Sequence, residues 1–233
     1  MAVIEPKNAR LRIERFEYRI VFSKKGRMIY ISHLDMKRAI QRIIKKTKLP
    51  VWYTQGFNPQ IYLNIPLALS LGLESDCEVM DIMLTEELPF DEVRERLNAG
   101  LPEGLEALEV YTPVHKHTDI ASSCYEVRLT TERSAEESKK LFESFLARDT
   151  IEIEKRTKKK TTKLVDIKPY IILQELTVND GALMIGLKLP AGNDFNLNLN
   201  VVLDAYLEWS GQTMDEFYAK RTKLLMANGE NFT

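Results

Sequence analysis

The spacing of apolar and polar residues changes several times along the chain, and each change marks an element. Phe16, Tyr18, Ile20 and Phe22 alternate with Glu17, Arg19 and Val21, the period of a half-buried strand. Lys24-Lys25-Gly26 reads as a turn, and residues 27–31 extend or re-enter the strand. From Ser32 the spacing lengthens to that of a helix, with Leu34, Ala39, Ile40, Ile43 and Ile44 on its apolar side. Ser32 is placed to cap it and Asp35 falls in its acidic first turn; Leu49-Pro50 ends it. Residues 51–54 read as a short strand, followed by a Gln55-Gly56-Phe57-Asn58-Pro59 loop. Residues 61–69 are mainly apolar, with Pro66 arguing for an edge or a break. Residues 78–84 predict a strand, residues 89–98 a helix burying Phe90, Val93 and Leu97, and residues 105–110 a strand.

The resulting order, β-α-β-β-α-β, is that of the split βαβ or ferredoxin-like unit. Residues 113–124, with His115, Lys116 and His117, look like a linker. The second half repeats the element order without repeating residue identities. It predicts a strand at 125–130, a helix at 135–147 and strands at 151–156 and 162–167 around a basic tip. A hairpin follows across Asn179-Asp180-Gly181, then a helix at 199–209, a short helix at 214–219 and a closing strand at 221–226. The expected fold class is α+β, with two ferredoxin-like halves of antiparallel sheet at 14–112 and 125–228.

Composition fits such a fold: 44% of the 233 residues are hydrophobic and 29% are charged. No apolar run approaches the roughly 20 residues of a membrane span, and the first residues lack the apolar core of a secretory signal. A cytoplasmic protein without membrane contact is expected. Cys77 and Cys124 stand far apart with no metal-ligand spacing, so neither a disulfide framework nor a cysteine metal site is expected.

Charge changes the picture more. The net value is only -1, but it is unevenly spread. Between Lys7 and Lys48 there are 14 Lys/Arg against 3 acids, and between Glu74 and Glu109 there are 12 acids against 2 Arg. Either this separation creates a field that steers polyanions, or the two stretches neutralise each other in the fold. Lys37, Gln41 and Lys45 form one outer stripe of the first helix, and Arg38, Arg42 and Lys46 the next. This is a phosphate-binding face or simply a solvated one. As a binding face it would give strong salt dependence without sequence reading.

Three further places carry candidate chemistry. In the loop, Gly56 permits a close backbone approach and Asn58 before Pro59 is held extended. Phe57 there either stacks on a base or plugs the core beneath. His33, at the start of the basic helix, sits where free N–H groups and the helix dipole favour phosphate and a neutral imidazole. It is a structural residue or a general base for a ribose 2′-hydroxyl. The Lys158-Lys159-Lys160 run is a second phosphate contact or a solvated hairpin tip. Asp166, Lys168 and Tyr170 fix a bend around Pro169 or present a ligand contact. No P-loop, dinucleotide fingerprint, HExxH, GxSxG or CxxxCxxC run occurs, and no cofactor is implied.

Several of these residues recur as a set of motifs: Ser32-His33-Leu34-Asp35, Arg38, Leu49-Pro50, Gln55-Gly56-Phe57-Asn58-Pro59, Leu71-Gly72-Leu73-Glu74-Ser75, Glu78 and Asp166-Ile167-Lys168-Pro169-Tyr170. In this order they resemble the radical-SAM-linked bacterial proteins, a family of unknown function, over nearly the whole chain from about Tyr18. The resemblance implies an accessory or substrate-presenting role beside a radical-SAM enzyme, without independent catalysis. The chain departs from the family pattern after Pro59, where Gln60-Ile61-Tyr62 stands in place of His-Pro and a basic residue. The function expected from residues and resemblance is an RNA-binding adaptor presenting tRNA or rRNA to such an enzyme. The alternatives are a metal-independent RNA endonuclease using His33, or a protein-interaction subunit docking a basic partner on the acidic stretch.

Overall fold

A strand that alternates and a helix that caps itself need little tertiary help to be recognised, and both are found where expected. In the computed structural model, which describes residues 14–156, 162–192 and 195–233, β1 spans Phe16–Lys24 and α1 spans His33–Lys46. Ser32 Oγ accepts the Asp35 N–H, the expected N-cap. α1 buries Met36, Ile40 and Ile44, whereas Leu34 is 55% exposed and does not belong to its buried stripe. The rest of the first half comprises β2 (Leu63–Asn64), β3 (Leu73–Leu84), α2 (Phe90–Asn98) and β4 (Leu105–Tyr111). Val93 and Leu97 are buried as expected, but Phe90 is partly exposed and packs edge-on against Tyr18.

The second half comprises β5 (Ile120–Thr131), α3 (Ala135–Leu146), β6 (Glu152–Arg156), β7 (Thr162–Asp166), β8 (Ile172–Asn179), β9 (Ala182–Pro190), α4 (Leu199–Ser210) and β10 (Met214–Met226). The fold is α+β. One large sheet runs β4-β1-β3-β10-β5-β9-β8, with β2 also paired to β3, and β6-β7 form a separate hairpin. Neighbours in the large sheet are antiparallel except β3 and β10, which pair in parallel over Leu73–Ser75 and Ala219–Arg221. Through that pair the sheet continues from one half of the chain to the other.

Helices of each half cover one core. Met36, Ile40 and Ile44 of α1 and Val93 and Leu97 of α2 pack on Ile20, Phe22, Met80 and Ile82. Phe142 and Phe145 of α3 and Val202 and Tyr206 of α4 pack on Tyr125, Val127, Leu183 and Ile185. A smaller cluster joins Val21, Val79, Leu224 and Phe232. Gly104 closes the turn before β4 with φ 91°; a Cβ there would lie 2.4 Å from the Lys25 carbonyl oxygen, so only glycine fits.

The structure corrects several boundaries. Residues 26–30 form a 3-10 turn, not a strand, because Gly26 takes a left-handed φ of 55° and starts it. Residues 51–54 make only isolated bridges, Val51 to Leu84 and Tyr53 to Ile61. β3 begins at Leu73, five residues before the apolar run that announces it. The expected linker ends early: Ile120 to Cys124 already belong to β5, a central strand. Residues 214–219 are strand, not helix, because pairing with β5 along Thr131 to Ile120 overrides a helix-prone run. Lys158, Lys159 and Lys160 lie outside the described residues. Among the described residues, no helix is long and apolar enough to cross a membrane.

Candidate nucleic-acid interface

The uneven charge of the sequence is resolved in two ways. Arg19 of β1 is buried and holds Asp81 with two bonds, Nε to Oδ1 at 2.7 Å and Nη2 to Oδ2 at 3.0 Å. Its Nη1 donates to the His115 carbonyl, and its guanidinium lies over Phe232. Lys25 and Lys220 pair with Asp76, and Arg221 pairs with Glu78. The acids of β3 therefore neutralise bases of β1, its turn and β10. Of the acidic stretch, Asp76, Glu78 and Asp81 of β3 are engaged in this way, whereas Glu86, Glu87, Asp91, Glu95, Glu103, Glu106 and Glu109 are exposed.

α1 is different. Arg38 reaches Asp35 at 3.4 Å on the surface; among the described residues, Lys37, Arg42, Lys45 and Lys46 have no carboxylate within ion-pairing distance. Like charges at Arg38, Arg42 and Lys46 stand one turn apart and repel. Lys37, Arg38, Gln41 and Lys45 line one wall of a cleft of about 500 Å³, with Leu34 beside them and Pro59, Gln60 and Ile61 opposite.

The opposite wall is the motif loop, which the structure shapes into a hairpin. Thr54 N–H donates to the Gln60 carbonyl, Gln60 N–H to Thr54 Oγ1, and Tyr62 N–H to the Trp52 carbonyl. Trp52 and Tyr62 meet edge to face at 6.2 Å, and Trp52 N–H donates to the Met83 carbonyl of β3. Gln41 Nε2 donates to the Ile61 carbonyl at 3.4 Å and ties the hairpin to α1. Gln55, Gly56, Phe57, Asn58 and Pro59 form its exposed tip. Phe57 is not a core plug: its side chain stands fully in solvent.

His33 opens α1, half-buried, with Nδ1 out of solvent contact and without a hydrogen-bond partner among the described residues. Burial holds its imidazole below its ordinary value; Lys37 and Lys24 add to that and Glu78 opposes it. The stability gained by keeping it neutral is complete above its unfolded value near 6.5 and is lost as pH falls towards the lower folded value. In His33→Asn, the fall in urea midpoint between pH 7 and pH 5 should be smaller than in wild type. An equal fall would show that His33 does not carry it.

Behind His33 lies a polar cluster that the motifs only half reveal. Lys24, Ser75, Arg221 and Tyr125 pair across β1, β3, β10 and β5, and a bulge between Phe22 and Lys24 brings Glu78 alongside. Arg221 Nη1 donates to both Glu78 oxygens at 2.9 and 3.2 Å, while Nη2 and Nε donate to the Tyr125 hydroxyl and Nη2 to the Ala68 carbonyl. Burial alone would lower the Arg221 value, but Glu78 and Tyr125 outweigh it and raise it. Burial lowers Lys24, with Glu78 opposing; its ammonium donates to the Ile31 carbonyl. Glu74 accepts from Gly26 N–H and from the Tyr218 hydroxyl, whose value burial and Glu74 push up to about 12. Gly72 takes a left-handed φ of 81° and donates its N–H to the Ile29 carbonyl. Glu74, Ser75, Glu78 and Gly72 thus join the 26–30 turn and β1 to β10 through β3. The sequence reading missed Lys24, Tyr125 and Arg221. Lys24 shares a strand face with Ile20 and Phe22, and that misplaced charge is the signal that would have found it.

The second motif serves the other half. Asp166 Oδ1 accepts from the N–H groups of Ile151 and Lys168, and the Lys168 ammonium bonds the Leu146 carbonyl at the end of α3, where a cation is favoured. Tyr170 packs against Phe195, with ring centroids 4.4 Å apart and the rings tilted by 37°. These residues fasten the β6-β7 hairpin to α3 and do not line the α1 cleft. Among the described residues, no group of three or more His, Cys, Asp or Glu is arranged to hold a metal ion.

Comparison with known proteins places this geometry in a family. Residues 17–199 match the family described as "Uncharacterized protein conserved in bacteria (DUF2344)". The chain belongs to this family. Its matched span includes α1, the motif hairpin and both motif sets, while Arg221 lies beyond it. No curated protein matches the chain. Among solved structures, one similar chain is from the crystal structure of a Cbf5-Nop10-Gar1 complex, at 11% identity and a TM-score of 0.45, covering 89% of this chain. This chain spans 48% of that one. Another is the crystal structure of an unknown protein from Galdieria sulphuraria, at 13% identity and a TM-score of 0.26, covering 89% of this chain and 99% of that one.

Proposed function

We propose that this member of the DUF2344 family is an RNA-binding accessory protein that presents RNA to a partner enzyme. One observation carries the reading: among the described residues, Lys37, Arg42, Lys45 and Lys46 of α1 have no carboxylate partner, while Arg19, Lys25, Lys220 and Arg221 are paired with acids of β3. A helix needing only solubility gains from mixed signs, so one-sided basicity is a cost that a bound polyphosphate relieves. The resemblance to radical-SAM-linked proteins supports a radical-SAM enzyme as the partner and tRNA or rRNA as the material. The strand orders β4-β1-β3 with β2, and β10-β5-β9-β8, support the finer reading of two ferredoxin-like units joined edge to edge.

The test is binding of fluorescently labelled tRNA and rRNA fragments to the purified chain at low salt. Binding that unlabelled RNA competes away is expected; no binding at low salt would end the reading. A second reading, an RNA endonuclease with His33 as general base, is favoured by its place at the start of the basic helix and by burial, which lowers its imidazole and so favours the neutral form. It expects RNA cleavage that His33→Ala abolishes; cleavage equal to wild type, or none from either, would remove it.

A further inference from the structure

The motif hairpin carries its most apolar residue where the protein leaves it uncovered. Phe57 is 106% exposed at the tip, and a Cβ on neighbouring Gly56 would meet nothing within 4 Å, so the approach to the ring is open. Two more aromatics on the same stretch of chain are exposed: Tyr53 on the hairpin at 43%, and Tyr30 just before α1 at 73%. The hairpin's own aromatic pair, Trp52 and Tyr62, already holds its base together, so Phe57 is not needed for that.

We propose that the ligand of this surface is RNA with unpaired bases, one of them stacked on Phe57 while its backbone phosphates lie along Lys37, Arg38 and Lys45. The proposal rests on the RNA-binding reading and narrows it. A basic helix alone accepts any polyphosphate, duplex included, because phosphate contacts do not depend on base pairing. A ring presented face-open is useful only to a base whose own face is free, and in a duplex each face is covered by the next pair. Stacking also tolerates any base, which suits a hairpin tip whose Gln55 and Asn58 stand in solvent rather than in a shaped pocket. The adjoining cleft, about 500 Å³, lies within the range of sites that take small ligands, so it has room for a phosphate and its sugar.

The test compares an unstructured A/U/C oligoribonucleotide, labelled with fluorescein, with the same strand annealed to its complement, by anisotropy at one salt concentration. The proteins are wild type, Phe57→Ala and Phe57→Trp. Because Phe57 touches no core, all three should melt together. The single strand is expected to bind wild type at least roughly tenfold more tightly than the duplex. Phe57→Ala should lose roughly 10- to 100-fold for the single strand and nothing for the duplex, and Phe57→Trp should retain binding. Equal affinity for both forms, or an unchanged affinity in Phe57→Ala, overturns the inference and leaves the RNA reading standing. Binding of neither form overturns both.

Discussion

Arg221→Met should lower stability by about 3–5 kcal/mol and the melting temperature by on the order of 10 °C. The side chain is 3% exposed and donates to Glu78, Tyr125 and the Ala68 carbonyl. Methionine fills much of the volume but leaves the Glu78 carboxylate buried without the guanidinium whose Nη1 meets both its oxygens. Lys24, within Coulombic reach, is itself disfavoured by burial and bonded to Ile31, so it is a poor substitute. The site also matters for topology, since β3 and β10 share only three residue pairs, Leu73–Ser75 with Ala219–Arg221. The double variant Glu78→Met/Arg221→Met removes both charges and should recover most of the loss, because a buried pair repays its own desolvation only narrowly. Urea unfolding of wild type, both single variants and the double variant reads this directly. A loss below about 1 kcal/mol for the single variants would mean that the pair is not what holds the strands together.

Reversing Lys37, Arg38, Arg42 and Lys45 to Glu should weaken RNA binding on the order of 1000-fold at low salt. Arg38, Arg42 and Lys45 are exposed and Lys37 is half-buried; none belongs to the core under α1, which Met36, Ile40 and Ile44 make. The variant should therefore keep its circular dichroism and unfold near the wild-type midpoint. Loss of binding with an intact fold assigns the effect to the surface. Retained binding would move the RNA site elsewhere on the molecule.

How far these features were legible in the sequence depends on what enforces them. The alternation from Phe16 to Phe22 and the Ser32 cap are local, and the strand and the cap are both found; the strand is not half-buried as its period suggests, because Arg19 and Val21 are buried as well as Tyr18, Ile20 and Phe22. The strand at Ile120–Cys124 is not local: Ala121, Ser122 and Ser123 carry no alternation, and they are strand because β9 and β10 flank them. Met214 to Ala219 reads as helix and is strand for the same reason. On the surface, the basic stripes of α1 were visible from spacing alone, but whether their charges were paired was not. That required seeing Asp76, Glu78 and Asp81 of β3 taken by other bases. Phe57 was ambiguous because a loop aromatic has no period to place it; the bonds between Thr54 and Gln60 close a hairpin, and Phe57 is exposed at its tip. Lys24 reads as a turn residue and Arg221 as the first residue of the closing strand; the extension of β1 to Lys24 and cross-strand pairing put them in one buried row.

The central claim is that the exposed cations of α1 hold RNA by its phosphates. The most direct measurement is the dependence of RNA affinity on salt, as log K against log salt, for wild type and the Lys37/Arg38/Arg42/Lys45 charge reversal. Neutralisation of about four phosphates of a single strand predicts a wild-type slope of roughly -3, and a slope near zero for whatever binding the variant retains. A wild-type slope near zero, or the same slope in the variant, would contradict the account.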